Sequence, residues 1–90
     1  MEKVFYIDLE GVSTKEALHR LLEGELELPD YYGGNLDALY DVLTECGQDW
    51  NVILYNTDKA PDISDYLGKI RKMSAREMEE KEGLKIRFFN

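Results

Sequence analysis

Three short β-favouring runs, separated by stretches with helical spacing, limit the possible folds of this chain. The runs are Val4–Ile7, Trp50–Tyr55 and Leu84–Phe89. The first is apolar throughout, which is typical of a strand buried on both faces of a sheet. Strands that alternate with helices form parallel sheets with right-handed crossovers. We therefore predict an α/β fold with a small three-stranded parallel sheet and three to four packed helices.

Capping signals mark two helices between the first two runs. Ser13–Glu16 matches a capping box, and Gly24 follows the apolar positions as a stop signal. Asn35 is suited to cap a second helix, which Gly47 would terminate. The segment that joins these helices contains proline and paired glycines, so we predict an exposed loop there.

The stretch Thr57–Gly83 fits either two helices or one bent helix. Pro61 can open a helix, whereas Ser74–Glu77 repeats the capping-box pattern and would begin another. The charged residues at 77–82 are expected to form a solvated helix end with local ion pairs.

Length and cysteine content favour a simple intracellular protein. The chain has 90 residues, so we expect a single domain that spans residues 1–90. Cys46 is the only cysteine, which permits no intramolecular disulfide and favours the reducing cytoplasm. We expect Cys46 to be a small packing residue. No signal peptide, membrane-spanning segment, metal site or cofactor site is predicted.

Acidic residues are concentrated in one part of the chain. The net charge of −8 disfavours nucleic acid and anionic lipid as direct partners, because phosphate would be repelled. Between Leu21 and Glu45 there are seven acids and no base, namely Glu23, Glu25, Glu27, Asp30, Asp37, Asp41 and Glu45. Most such runs are solvated faces that maintain solubility, so a binding function needs further support.

Two acids on the second predicted helix supply part of that support. Asp37 and Asp41 lie one turn apart, and like charges at this spacing destabilise an isolated helix by a few tenths of a kcal/mol. The helix dipole favours Asp37 in the first turn but does not favour Asp41. Tyr31 is expected to be exposed beside them, and aromatic residues among carboxylates suit a basic cleft. Tyr32 and Tyr40 fit either this surface or the core.

The segment Leu28–Thr44 resembles the signature of the barstar family of ribonuclease inhibitors. It reads LPDYYGGNLDALYDVLT, which is long and specific, and the resemblance is clear over the first half of the chain. It implies a barstar-like fold and a cytoplasmic protein, monomeric when free. The implied partner is a basic, extracellular-type, barnase-like ribonuclease, bound as a 1:1 heterodimer with its active site blocked. The implied contact residues are Tyr31, Asn35, Leu36, Asp37, Tyr40, Asp41, Thr44 and Glu82.

The resemblance also implies a role for several of these residues. Asp41 would enter the phosphate subsite of the enzyme, Tyr31 would pack near its catalytic histidine, and Asp37 would pair with further cations. Tyr40 stands where the best-known members have tryptophan, which is a mild change because either aromatic can support the adjacent acid.

The last helix matches the family less well. Alignment on Gly83 places Glu82 at an acidic contact position but puts Met78 where another acid is expected. A shift of one residue would bring Glu77 or Glu79 to that position instead, so the second contact patch stays open.

Two other functions are compatible with the residues. The same acidic surface could bind a different basic protein, which inhibition of a ribonuclease would distinguish. Alternatively, Asp37 and Asp41 could act as an acid–base pair or hold magnesium. An enzyme is disfavoured, because the only histidine, His19, is expected on the surface of the first helix and no activated nucleophile or phosphate-binding loop is visible.

Overall fold

The computed structural model describes residues 1–90 and contains one three-stranded sheet and three α-helices. The strands are β1 (Lys3–Asp8), β2 (Trp50–Tyr55) and β3 (Lys85–Phe88). The helices are α1 (Lys15–Glu25), α2 (Leu36–Cys46) and α3 (Ser64–Glu80). All strands are parallel, in the order β1-β2-β3, which confirms the predicted α/β class and parallel sheet.

One face of the sheet is covered by the helices and the other is open. The register places Ile7 beside Leu54 and Val52 beside Ile86, and all four side chains are buried. The alternate side chains of β1 are exposed, so the prediction that this strand is buried on both faces is wrong. Both crossovers advance across the sheet in the same direction, and right-handed connections then place every helix on the same face.

The core fills the space between the sheet and the three helices. Its helical contribution follows the 3.6-residue period, with Leu18 and Leu22 from α1, Leu39 and Leu43 from α2, and Ile70 from α3. No helix has the length and apolar character needed to cross a membrane.

The start and the end of α1 differ from the sequence prediction. The Thr14 hydroxyl accepts a hydrogen bond from the Ala17 N–H at 3.0 Å, so α1 is capped by Thr14 and not by the predicted Ser13–Glu16 box. The helix also continues past Gly24, which was predicted to stop it, and this extension precedes the buried Leu26.

The caps of α2 agree with the sequence prediction. The side-chain oxygen of Asn35 accepts a hydrogen bond from the Ala38 N–H at 2.8 Å, and Gly47 occupies the C-cap position. Local capping chemistry therefore fixes where the acidic helix begins and ends.

A single helix, α3, spans most of the stretch that fitted either one helix or two. Two short 3₁₀ turns, at Thr57–Lys59 and Pro61–Ile63, lead into it, so Pro61 opens a turn ahead of the helix. The second capping box is wrong, because Ser74 and Glu77 are only 0% and 1% exposed inside α3. They continue the inward face at helical spacing, which also overturns the expectation that Glu77 is solvated.

Ser74 carries a buried hydroxyl that has no hydrogen-bond partner. It borders an internal cavity of about 20 Å³ whose other lining side chains are apolar, so a water there would lack further polar partners. The hydroxyl therefore pays a desolvation cost without a compensating bond.

Ser74→Ala is expected to raise the free energy of unfolding by about 1 kcal/mol, because it removes the unsatisfied hydroxyl and introduces a better helix former. Urea unfolding followed by circular dichroism measures this change. Ser64→Ala, at an exposed position at the start of α3, serves as the control and should shift stability by less than about 0.5 kcal/mol. A loss of stability in Ser74→Ala would show that the hydroxyl is hydrogen-bonded in solution.

Candidate functional site

The loop between α1 and α2 folds back onto the start of α2. The Tyr32 N–H donates to the Pro29 carbonyl at 2.9 Å and closes a turn. Gly34 has φ +67°, a conformation that side-chain-bearing residues rarely adopt. A Cβ on Gly33 would lie 3.3 Å from the Ala38 Cβ, so the loop backbone approaches α2 closely. The paired glycines thus let the loop turn sharply into the Asn35 cap.

A buried histidine holds this loop to the rest of the fold. His19 is 3% exposed, and its Nδ1 lies 2.6 Å from the Tyr32 hydroxyl while its Nε2 lies 2.5 Å from the Tyr66 hydroxyl. A neutral imidazole donates from one nitrogen and accepts at the other, so one tyrosine accepts a hydrogen bond and the other donates one. This cluster joins α1, the loop and α3.

The prediction that His19 lies on the surface of α1 is therefore wrong. Its ring satisfies both nitrogens with partners 13 and 47 residues away, which no local pattern reveals. The signal present in the sequence is its position between Leu18 and Leu22 on the inward face of the helix. Tyr32, which fitted either the exposed surface or the core, is half-buried and packs against the core.

Burial shifts the titration of all three members of the cluster in the direction of the neutral form. It lowers the pKa of His19 and raises the pKa of the Tyr32 and Tyr66 hydroxyls. The cluster is therefore uncharged at neutral pH.

Stability is expected to fall when the pH is lowered through the range in which His19 titrates. Unfolded histidine has a pKa of about 6.5, and the folded-state pKa of His19 lies lower, so between the two values the unfolded chain binds the extra proton. The contribution of His19 is complete above the unfolded pKa and is lost as the pH falls toward the folded pKa. Urea unfolding at intervals between about pH 8 and 5 measures this loss.

His19→Gln keeps a polar side chain but cannot titrate, so its stability should vary less over the same interval. Two carboxyls also have lowered pKa values, Glu2 through a hydrogen bond from Lys85 and Asp8 through one from Asn56, but both titrate at lower pH. An equal slope in the variant and the parent chain would show that His19 is not responsible.

Most of the predicted contact residues on the loop and α2 are exposed. Tyr31 is 86% exposed and Tyr40 is 43% exposed, while Asn35, Asp37 and Asp41 are exposed. Tyr40 was compatible with either core or surface, and it is found at the surface.

Two further predicted contact residues, Leu36 and Thr44, are half-buried. Leu36 packs against the core. The Thr44 hydroxyl donates to the backbone carbonyl of Asp41 at 2.9 Å, within α2. Both residues therefore present only part of their side chains to a partner.

A cleft of about 180 Å³ lies between the loop and α2, and we call it the loop–α2 cleft. Tyr31 and Asp41 both line it. It also includes Glu45 and Cys46, which the sequence analysis did not assign to the site. The expectation that Cys46 packs in the interior is wrong, because the residue is exposed.

A separate groove adjoins the first turn of α2. Asn35, Leu36 and Asp37 line it together with Lys15 and Lys69. Asp37 thus lines this groove and Asp41 lines the loop–α2 cleft, on successive turns of one helix, whereas Tyr40 and Thr44 line neither.

The second contact patch lies apart from both depressions. Glu82 is exposed in the turn between α3 and β3 and lines neither of them. Glu77 is buried, and Met78 is half-buried. The Met78 Sδ accepts a hydrogen bond from the Ile86 N–H at 3.2 Å. Glu79 is exposed. Of the four candidate residues in this region, Glu79 and Glu82 are exposed.

The carboxylates of α2 form no ion pair within the chain, although Lys15 and Lys69 line the groove beside Asp37. The ion pairs join Met1 to Asp49, Lys59 to Glu10 and Lys85 to Glu2, and none involves Asp37, Asp41 or Glu45. No group of three or more potential metal-ligating side chains lies close enough together to hold a metal ion. The exposed Tyr31 ring, next to carboxylates that form no ion pair, suits recognition of a basic protein surface.

Comparison with known proteins gives two findings. The family model described as Barstar (barnase inhibitor) matches residues 2–87. The Bacillus subtilis (strain 168) protein named "Putative ribonuclease inhibitor YrdF" is 50% identical over 44 residues, which are 49% of this chain and 47% of that protein. The chain thus spans about half the length of this curated relative.

Proposed function

This chain belongs to the barstar family, and from that membership we propose that it binds a barnase-like microbial ribonuclease and occludes its active site. The family match confirms the resemblance of the segment Leu28–Thr44, and the name of the relative supports a ribonuclease-inhibitor role. We further propose that the chain acts in the cytoplasm as a single barstar-like domain that is monomeric when free and forms a 1:1 heterodimer with its target.

The observation that carries this proposal is the acidic surface of α2, whose carboxylates form no ion pair, beside an exposed tyrosine. An enzyme that cleaves RNA binds phosphates through cationic side chains, and carboxylates offer those side chains the same type of charge-assisted hydrogen bond. Asp41 and Tyr31 share the loop–α2 cleft, where an acid and an aromatic ring can enter a basic active site together.

The other predicted residues complete the proposed interface. Asp37 pairs with cations beyond the phosphate subsite, and Tyr40 supports the adjacent acid. The Asn35 side-chain oxygen already caps α2, so its amide NH₂ is the group left for the partner. Leu36 and Thr44 supply contact area through the exposed parts of their half-buried side chains. Glu82 forms the second contact patch.

Rigidity of the loop supports tight binding. The hydrogen bond of Tyr32 to His19, the turn at Pro29 and the Asn35 cap hold the loop in position before a partner arrives. A surface that is ordered in advance loses less conformational entropy on association, so more of the contact energy appears as affinity.

The family and the name of the relative point to a non-catalytic inhibitor. In this proposal Asp37 and Asp41 act as fixed charges and not as an acid–base pair. The chain consumes no substrate and needs no metal or cofactor.

The occlusion mechanism is tested by competition with a small substrate. If the chain covers the active site, a dinucleotide substrate that occupies this site should slow the association of the chain with the ribonuclease. The onset of inhibition, followed over a series of substrate concentrations, measures this association rate. A rate that does not change with substrate concentration would place the chain at another site and would contradict occlusion.

A further inference from the structure

The loop–α2 cleft has apolar walls and an acidic side. Pro29, Tyr31 and Val42 contribute much of the wall, whereas Asp41 and Glu45 supply carboxylates. Tyr31 is almost fully exposed, so one face of its ring is available to an occupant of the cleft. A cleft of this kind does not suit a small anion, which the two carboxylates would repel.

Glu45 has an unfavourable position for the stability of α2. It lies one turn after Asp41, where like charges repel, and it is in the last turn of the helix, where the dipole disfavours an acid. It is exposed and forms no ion pair. The fold therefore gains nothing from the Glu45 carboxylate, although that carboxylate completes the acidic side of the cleft.

We propose that Glu45 is a partner-contacting residue, and that the loop–α2 cleft takes a long cationic side chain, arginine or lysine, from the ribonuclease. This inference rests on the proposed function. The aliphatic stem of such a side chain packs on the apolar walls, and its cationic group is held between the carboxylates of Asp41 and Glu45. The exposed Tyr31 ring adds a favourable contact with the cation.

The only cysteine of the chain reports on whether the cleft is filled. Cys46 is exposed and lines the same cleft as Tyr31, Asp41 and Glu45. An occupant of the cleft covers its thiol, so alkylation of Cys46 measures occupancy at this position without any measurement of enzyme activity.

The variant that tests the inference is Glu45→Gln, and Glu25→Gln is its matched control. Glu25 also lies in the last turn of an 11-residue helix, is exposed and has no ion pair, but does not line the cleft. Both variants change the net charge equally, so they alter long-range attraction to a basic enzyme to a similar extent.

Dissociation from a barnase-like ribonuclease that the parent chain inhibits is measured by surface plasmon resonance. Glu45→Gln is expected to dissociate about tenfold faster, because a charge-assisted hydrogen bond is lost, whereas Glu25→Gln should change less than about twofold. Thermal unfolding of Glu45→Gln should be unchanged or occur at higher temperature, since a repulsive charge is removed. Iodoacetamide should label Cys46 in the free chain and not in the complex.

The failure of this inference differs from the failure of the proposed function. Inhibition by the parent chain with equal dissociation of the two variants, or with undiminished labelling of Cys46 in the complex, would overturn the role of Glu45 and the cleft while the inhibitor function stands. An absence of inhibition by the parent chain would overturn both.

Discussion

Asp41→Ala is expected to weaken binding of the ribonuclease by about 2 kcal/mol or more while leaving the fold intact. Asp41 lies on the middle turn of α2, in the same cleft as the exposed Tyr31, and has no ion-pair partner within the chain. In the proposed complex its carboxylate meets a cationic subsite from which water is excluded. Its removal leaves that cationic subsite buried and unpaired, which accounts for the large expected loss.

Isothermal titration calorimetry measures the binding loss, and urea unfolding measures the stability of the free variant. Removal of Asp41 relieves repulsion from Asp37 and Glu45, each one turn away, so the free energy of unfolding should not decrease. Asp58→Ala is the control, since Asp58 is exposed, unpaired and in a 3₁₀ turn far along the chain from the acidic segment. Equal losses of affinity in the two variants would contradict a specific role for Asp41.

Gly83→Ala is expected to lower the free energy of unfolding by about 3 kcal/mol or more. A Cβ on Gly83 would overlap the backbone carbonyl of Gln48. Both groups belong to backbone, so no side-chain rotation can relieve the clash. Either the turn before β3 or the segment before β2 must move, and the two strands are paired directly after these points.

Gly68→Ala is the matched control because it makes the same substitution with the opposite expected sign. Gly68 lies inside α3, and a Cβ there would meet no atom within 4 Å. Alanine should stabilise the helix at this position by about 0.5–1 kcal/mol. Urea unfolding measures the stability of both variants. A Gly83→Ala variant as stable as the parent chain would contradict the account.

Features of the fold that depend on local chemistry could be predicted from the sequence. The Asn35 cap and the Gly47 end of α2 each require only neighbouring residues, and both predictions are confirmed. The three strands follow from short runs rich in β-branched and aromatic residues, which favour a strand over a buried helix. Conversely, alternate side chains of β1 are exposed because both crossovers place their helices on the same face of the sheet. An apolar run in the sequence does not reveal the direction of the crossovers.

Features that depend on distant partners could not be predicted. The burial of His19 requires hydroxyls from Tyr32 and Tyr66, and these residues meet only once α1, the loop and α3 have packed together. Ser74 and Glu77 match a capping box, but the inward face of α3 determines their position and prevents a helix start there. In each of these cases tertiary packing, and not the local sequence pattern, determines where the side chain lies.

The candidate site shows the same division. The exposure of Tyr31 and the shared surface of Asp37 and Asp41 follow from loop composition and helical spacing. Glu45 follows Asp41 by the same four-residue spacing. The helical period of α2 could therefore have predicted that Glu45 lies on the same side of the helix. Its place in a cleft with Tyr31 depends on how the glycine pair folds the loop against α2, which only the structure reveals.

The proposed inhibition is tested by titration of a panel of barnase-like ribonucleases with the purified chain, with cleavage of a fluorogenic RNA as the readout. The account predicts that the activity of at least one enzyme falls linearly with added chain and reaches zero at a 1:1 ratio. Full activity of every enzyme in the presence of excess chain would contradict the inhibitor function. The acidic surface of α2 would then be assigned to a different basic protein.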